Sequence, residues 1–155
     1  TPMEQGTREH LITNVDFAPT IADYLDVEPP ARWQGTSLRP IVESADTAGR
    51  DSIVFDHGLY TAQRAIRTAE WKLIRTYHPG MWDGVLPEYQ LYEMNEDPWE
   101  QENLAADRPD LVDSLEEEMI LWAERHRTGS VDPLRRVAER GPSGYNSFKD
   151  GFEGV

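Results

Sequence analysis

The chain has 155 residues, and its 15 Lys plus Arg against 29 Asp plus Glu give a formal charge of −14. That length suits one ordinary domain, burying about 70% of the unfolded chain's surface, and excludes two large ones. A hydrophobic fraction of 38% with five Trp, six Tyr and four Phe argues against intrinsic disorder, and the acidity argues against phosphate-backbone binding, so no nucleic-acid partner is expected.

Zero Cys excludes disulfides, thiolate zinc sites and a cysteine nucleophile within these residues. No apolar run approaches the ~18 residues of a membrane span, and the start, Thr1-Pro2-Met3-Glu4-Gln5-Gly6, is no signal peptide, so no membrane partner is expected. Without an initiator Met the chain reads as a piece of something longer. Lys72 and Lys149 are its only lysines. An acidic, arginine-biased surface suits the cytoplasm of a halophile, where molar salt shrinks the Debye length to about 3 Å. A GC-rich genome encoding an ordinary acidic protein gives the same bias.

In chain order, residues 1–13 are polar and without period. Val15, Ala18, Ala22 and Leu25, with Phe17, Ile21 and Tyr24, have helical spacing; Asp16 is the expected N-cap and Pro19 falls in the first turn. Pro29-Pro30 ends this segment, Gly35-Thr36-Ser37-Leu38-Arg39-Pro40 is turn-like, and residues 43–50 form a loop after the short apolar Ile41-Val42. Strands are expected over 52–56, 65–68, 71–77 and 89–94, the short Ala69-Glu70 link favouring antiparallel pairing. Residues 78–87 are a loop and Asn95-Glu96-Asp97-Pro98 a turn. A helix over 108–127 begins at an Asp107 cap and carries the stripe Leu111, Leu115, Met119 and Trp122, widened by Val112 and Ala123. Glu116, Glu117 and Glu118 form its solvated face, and Gly129 stops it. Beyond it a short helix over 134–138 is expected, and Tyr145, Phe148 and Phe152 suggest a tail that docks.

Sites are scarce. There is no Gly-x-Ser-x-Gly, no Walker loop and no Gly-x-Gly-x-x-Gly, and His10, His57, His78 and His126 are scattered. Asp56 and His57 are adjacent in a strand, so their side chains point to opposite faces; Asp56-His57-Gly58 reads as a strand end turning into a loop. Arg67 could hold a carboxylate bidentately, or stand exposed.

Three stretches together resemble the C-terminal region of the sulfatase family, in the alkaline phosphatase superfamily. They are Asn14-Val15-Asp16-Phe17-Ala18-Pro19-Thr20-Ile21 with Gly35-Thr36-Ser37-Leu38; Arg64-Ala65-Ile66-Arg67-Thr68 with Trp71-Lys72-Leu73-Ile74; and Gln90-Leu91-Tyr92-Glu93-Met94-Asn95-Glu96-Asp97-Pro98-Trp99-Glu100-Gln101-Glu102-Asn103-Leu104. The pattern departs at Trp71, where the family often has Tyr or Trp-like aromatics, and at Glu93-Met94, where it has Asp-Leu.

The resemblance implies an α+β fold within an α/β parent. Residues 1–50 would end the large sulfatase core, with the helix over 16–25 packed on it. Residues 51–128 would form a small four-stranded antiparallel sheet packed by the long C-terminal helix, and 129–155 a tail. It implies the C-terminal portion of a hydrolase of sulfate esters, partnered by the upstream catalytic core and acting on a small anionic ester. The nucleophile and metal ligands lie upstream, so this chain carries no catalytic or metal residue and is inactive alone. The parent would need a divalent metal, calcium, and a formylglycine. His57, Tyr60 and Arg64, with residues 78–82, would line the substrate rim, a cationic Arg or His suiting an anionic ester. Two other readings stay open: a phosphonate monoester hydrolase or phosphodiesterase of the same superfamily, and a free-standing binding or oligomerisation module.

Overall fold

The computed structural model describes residues 6–44, 47–127, 129 and 131–153, apart from the side chains of residues 148 and 151–153. Residues 1–5, part of the expected 43–50 loop, and the side chains of Phe148 and Phe152 thus lie outside the described residues. The chain divides into two compact units, Thr1–Ile53 and Val54–Val155.

In the first unit a 3₁₀ turn, Asn14–Asp16, runs into α1, Phe17–Tyr24, with Pro19 in the first turn as expected. Asp16 corrects the sequence reading. It stands at the N-cap position of α1 but makes no side-chain cap bond there. Its fully buried carboxylate instead turns back to the Thr13 N–H (2.9 Å) and across to the Thr36 N–H (2.9 Å), and pairs with the Arg50 guanidinium.

Thr20 repeats the device one turn later. Its hydroxyl donates to the Asp16 carbonyl (2.6 Å) and accepts from the Leu38 N–H (2.8 Å). Two side chains of one helix thereby satisfy two backbone donors of the distant Gly35-Thr36-Ser37-Leu38 turn. Gly35 is required because a Cβ there would lie 1.9 Å from the Val15 carbonyl oxygen. The expected turn at Arg39-Pro40 opens a short helix instead, α2, Arg39–Glu43, since proline fits a first helical turn.

In the second unit, β1 (Ser52–His57), β2 (Ala62–Thr68), β3 (Trp71–His78) and β4 (Tyr89–Glu93) form one sheet in the order β1-β2-β3-β4, the expected four-stranded architecture. β2 with β3 and β3 with β4 are antiparallel. β2 starts three residues earlier than expected because Ala62 pairs with His78 beyond a bulge at Tyr77. Helix α3, Pro109–His126, lies over the sheet, and Val54, Ile66, Leu73 and Leu91 meet its Val112, Leu115 and Met119 in the core. Leu111 and Trp122, at the ends of the predicted stripe, pack half-buried against that core. Arg108, not Asp107, occupies the N-cap position, with Pro109 opening the helix. Glu116 is not simply solvated, since it accepts from the Tyr89 hydroxyl at 2.6 Å.

The segment after β4 is also built by side chains bonding backbone. Asp97 accepts from the N–H groups of Gln101 (2.7 Å) and Glu102 (2.9 Å). Asn103 accepts from the Leu91 N–H (2.9 Å) and donates to the Tyr89 carbonyl (3.0 Å), so its amide pairs with β4 as a further strand would. Beyond α3 come α4 (Pro133–Arg140), longer than expected because Asp132 caps it through the Leu134 N–H (3.0 Å), and an unexpected α5 (Ser143–Glu153).

Burial acts to raise the Asp16 pKa, but the Thr36 and Thr13 N–H groups and Arg50 outweigh it and hold the carboxyl below its usual value. Its contribution is therefore full above the unfolded-chain value of about 3.9 and is lost as pH falls further. Asp16→Ala is expected to lower the unfolding free energy by about 3 kcal/mol in a urea titration at neutral pH, because it leaves buried donors and Arg50 unpaired. A loss below about 1 kcal/mol would show that this carboxylate does not hold the turn.

Candidate functional site

The turn from β1 to β2 (residues 58–61) and the segment after β3 (78–82) meet at one end of the sheet. Gly80 has φ +61°, and a Cβ on it would lie 1.7 Å from the Tyr60 carbonyl oxygen, so glycine is what allows the approach. The rings of Tyr60 and Trp82 stand edge to face at 6.5 Å, and both are two-fifths exposed. The exposed His57 is fixed through Nδ1 by the Thr61 hydroxyl (2.8 Å). Thr61 in turn donates to Gln63 (3.0 Å), which donates to Thr76 (3.1 Å). His78 Nδ1 accepts from the Gly80 N–H (2.9 Å), and its ring lies 5.6 Å from Tyr145. The expected tail contact is therefore present at Tyr145.

Arg64 differs from its expected rim role. It is only 5% exposed, and its guanidinium donates to both oxygens of Asp56 (2.7 and 2.8 Å) and of Asp132 (2.7 and 3.0 Å). Burial alone would depress its pKa; the two carboxylates reverse that and raise it. With two acids on one cation, this group offers no free positive charge to an anion. It is an anchor joining β1, β2 and the N-cap of α4. Beside it a cleft of about 610 Å³ is lined by Arg64, Tyr77, Ile120, Asp132, Leu134 and Ala138, among others.

The structure thus brings His57 and Tyr60 together with residues 78–82 at the sheet end and turns Arg64 inward. Arg67 holds no carboxylate among the described residues; its guanidinium donates to the Thr68 carbonyl, and Lys72 is the residue that clasps Glu100 (2.7 Å). Sequence reasoning missed Asp132 and Gly144. Asp132 lies 68 residues from Arg64 with no local signal. A Pro-Ser-Gly stretch marks Gly144 only as loop-like.

Among the described residues no three His, Cys, Asp or Glu side chains gather as a metal site, and the chain has no Cys. These residues do not fit the metal and formylglycine that the resemblance implies, so no step is derived through either.

The geometry predicts that Arg64→Leu lowers unfolding free energy by about 3 kcal/mol or more, because Asp56 and Asp132 then face each other uncompensated. The Arg64 hydrogen bond, opposed by burial and aided by the Leu134 N–H, holds the Asp132 carboxyl below its usual value. Its stabilisation is thus present above about pH 3.9 and lost as pH falls. Asp132→Asn should accordingly narrow the stability gap between pH 7 and pH 3 in thermal melts; an unchanged gap would refute this.

Residues 2–125 match the family N-sulphoglucosamine sulphohydrolase, C-terminal. An N-acetylglucosamine-6-O-sulfatase of Bacteroides thetaiotaomicron is 32% identical over 127 residues, covering 72% of this chain and 22% of that protein. Arylsulfatase K of Rattus norvegicus is 28% identical, covering 70% and 20%. Among solved structures, BT4656 in complex with its substrate D-glucosamine-2-N,6-O-disulfate superimposes with TM-score 0.61 at 28% identity, covering 77% of this chain and 25% of that one. The chain spans about a fifth of the length of these curated relatives.

Proposed function

Because the chain belongs to the N-sulphoglucosamine sulphohydrolase C-terminal family, we propose that it is the C-terminal portion of a hydrolase of sulfate esters, supplying packing and one wall of the substrate cleft. The observation that carries this reading is the outer stripe of α1. Phe17 and Ile21 of the helix and Leu25 at its C-cap, spaced four apart, are 55%, 61% and 67% exposed, with Val15 beside them at 53%. Burying such a side chain fully is worth about 1.5–3 kcal/mol. A helix that spends three on solvent is shaped for a partner surface, and in this family reading that surface is the upstream catalytic core. The nucleophile and the metal, calcium, would belong to that core. On this side the polar rim is His57, with Tyr60 and Trp82 as an aromatic ledge able to lie against a sugar ring.

The isolated 155-residue chain is expected to show no turnover of an aryl sulfate or of 6-O-sulfated glucosamine. The longer protein that contains these residues is expected to hydrolyse at least one of them, and Ile21→Glu in it should lower Tm by several degrees. In the same protein, His57→Ala should raise KM for the sulfated sugar with little change in kcat. Turnover by the isolated chain, or hydrolysis of phosphonate monoesters in place of sulfate esters, overturns the proposal.

A further inference from the structure

The family match ends at residue 125, before α4 and α5 begin, yet these two helices make specific contacts with the candidate rim. Asp132, the N-cap of α4, is locked to Arg64, and Arg64 also holds Asp56, the residue before His57. Val137 of α4 lies against Gly58, where a Cβ would meet its methyl groups at 3.7 Å. The Gly144 N–H in the first turn of α5 donates to the Leu59 carbonyl (2.7 Å). A Cβ on Gly144 would lie 2.7 Å from both that oxygen and the Tyr60 ring. Tyr145 packs on His78, which in turn accepts from the Gly80 N–H. Both rim segments are therefore held from the C-terminal side, the residue 57–61 turn by Val137 and Gly144 and the residue 78–82 segment by Tyr145.

We propose that α4 and α5 form a strap that fixes the residue 57–61 turn and the residue 78–82 segment in one conformation, and that this makes Gly144 and Asp132 positioning residues for substrate selection at the rim. The selectivity half rests on the sulfate-ester reading; the strap itself does not. Physically, Thr61 ties the base of the residue 58–61 turn to His57 and Gln63, but its tip stands out, Leu59 and Tyr60 being 50% and 43% exposed. The Leu59 carbonyl finds its donor in α5, and the Asp56 carboxylate its cation in an Arg64 shared with α4. Without the strap the turn would sample several conformations, and a sugar binding there would have to select one of them.

The test uses the longer protein containing these residues. Gly144→Ala adds only a methyl group and improves helix propensity, so α5 itself should not melt. The backbone carbonyl of Leu59 must move, however. Asp132→Asn keeps a capping oxygen but removes the negative charge that faces Arg64. Both are expected to speed amide hydrogen exchange in peptides spanning 57–62 and 79–83 by about tenfold, with exchange in β3 and α3 unchanged. Both should raise KM for a sulfated disaccharide roughly tenfold, and leave kcat and the KM for a small aryl sulfate, which has no sugar to touch the rim, as they were. Unchanged exchange in both variants overturns the strap, whatever the activity. Faster exchange with the disaccharide KM unmoved overturns the role in selection. Faster exchange in a protein whose unsubstituted form hydrolyses no sulfate ester refutes the proposed function and the selectivity with it, while the strap stands.

Discussion

Burying a guanidinium costs several kcal/mol unless its donors are all answered, and Arg64 of β2 is buried to 5% exposure. Two carboxylates answer it, each through both of its oxygens. One of them, Asp56, lies in the neighbouring strand β1; the other, Asp132, opens α4. Arg64 shares a face with Ile66, two residues on, so the ion cluster continues the apolar core toward the end of the sheet. α3 packs over the apolar part and α4 over the charged part. The cluster is thus what turns residues beyond α3 into part of the second unit, and it sets where the residue 57–61 turn can go.

The same economy of side chain against backbone explains why certain short stretches of this sequence have the residues they do. Asp16 and Thr20 accept from the Thr36 and Leu38 N–H groups of the turn after Gly35; Asp97 accepts from the N–H groups of Gln101 and Glu102; Asn103 pairs with both Leu91 and Tyr89. In each case a loop that could not otherwise satisfy its backbone is fixed by one or two short polar side chains. Such a device tolerates little change in residue type, because Glu for Asp or Gln for Asn moves the acceptor by a bond length or more. Around it, apolar positions can vary within a size class.

This division decides how much was legible beforehand. The stripe Leu115–Met119 with Val112 and the strand pairs are carried by local periodicity, and they came out in place. The motifs at Asp16 and Asn103 were visible as a resemblance although their bonding was not: Asp16 reads locally as a helix cap, and only the Thr36 and Arg50 contacts, 20 and 34 residues away, redirect its carboxylate. Arg64 shows what neither the resemblance nor its neighbours in sequence disclose. The resemblance put it among the rim candidates, a cation suiting an anionic ester, but its partner Asp132 lies 68 residues on, in a stretch of no particular pattern. α5 was missed because Ser143, Gly144, Asn146 and Ser147 are weak helix formers, and tertiary contact at Gly144 and Tyr145 outweighs them.

Charge then constrains how an anionic ester could be received at this end of the molecule. The net charge of −14 repels anions at long range, though only over about a Debye length, 8 Å at physiological ionic strength. Attraction under the proposed function would therefore be local, and Arg64, the expected cation of the rim, is already held by two acids. His57, with Nε2 unpartnered among the described residues, and the ledge of Tyr60 and Trp82 remain. Under the proposed function such a wall would discriminate by hydrogen bonding and ring contact, which depend on position to within fractions of an ångström, rather than by field strength, which does not. On that proposal the rigidity of the residue 57–61 turn would matter more to this surface than its charge.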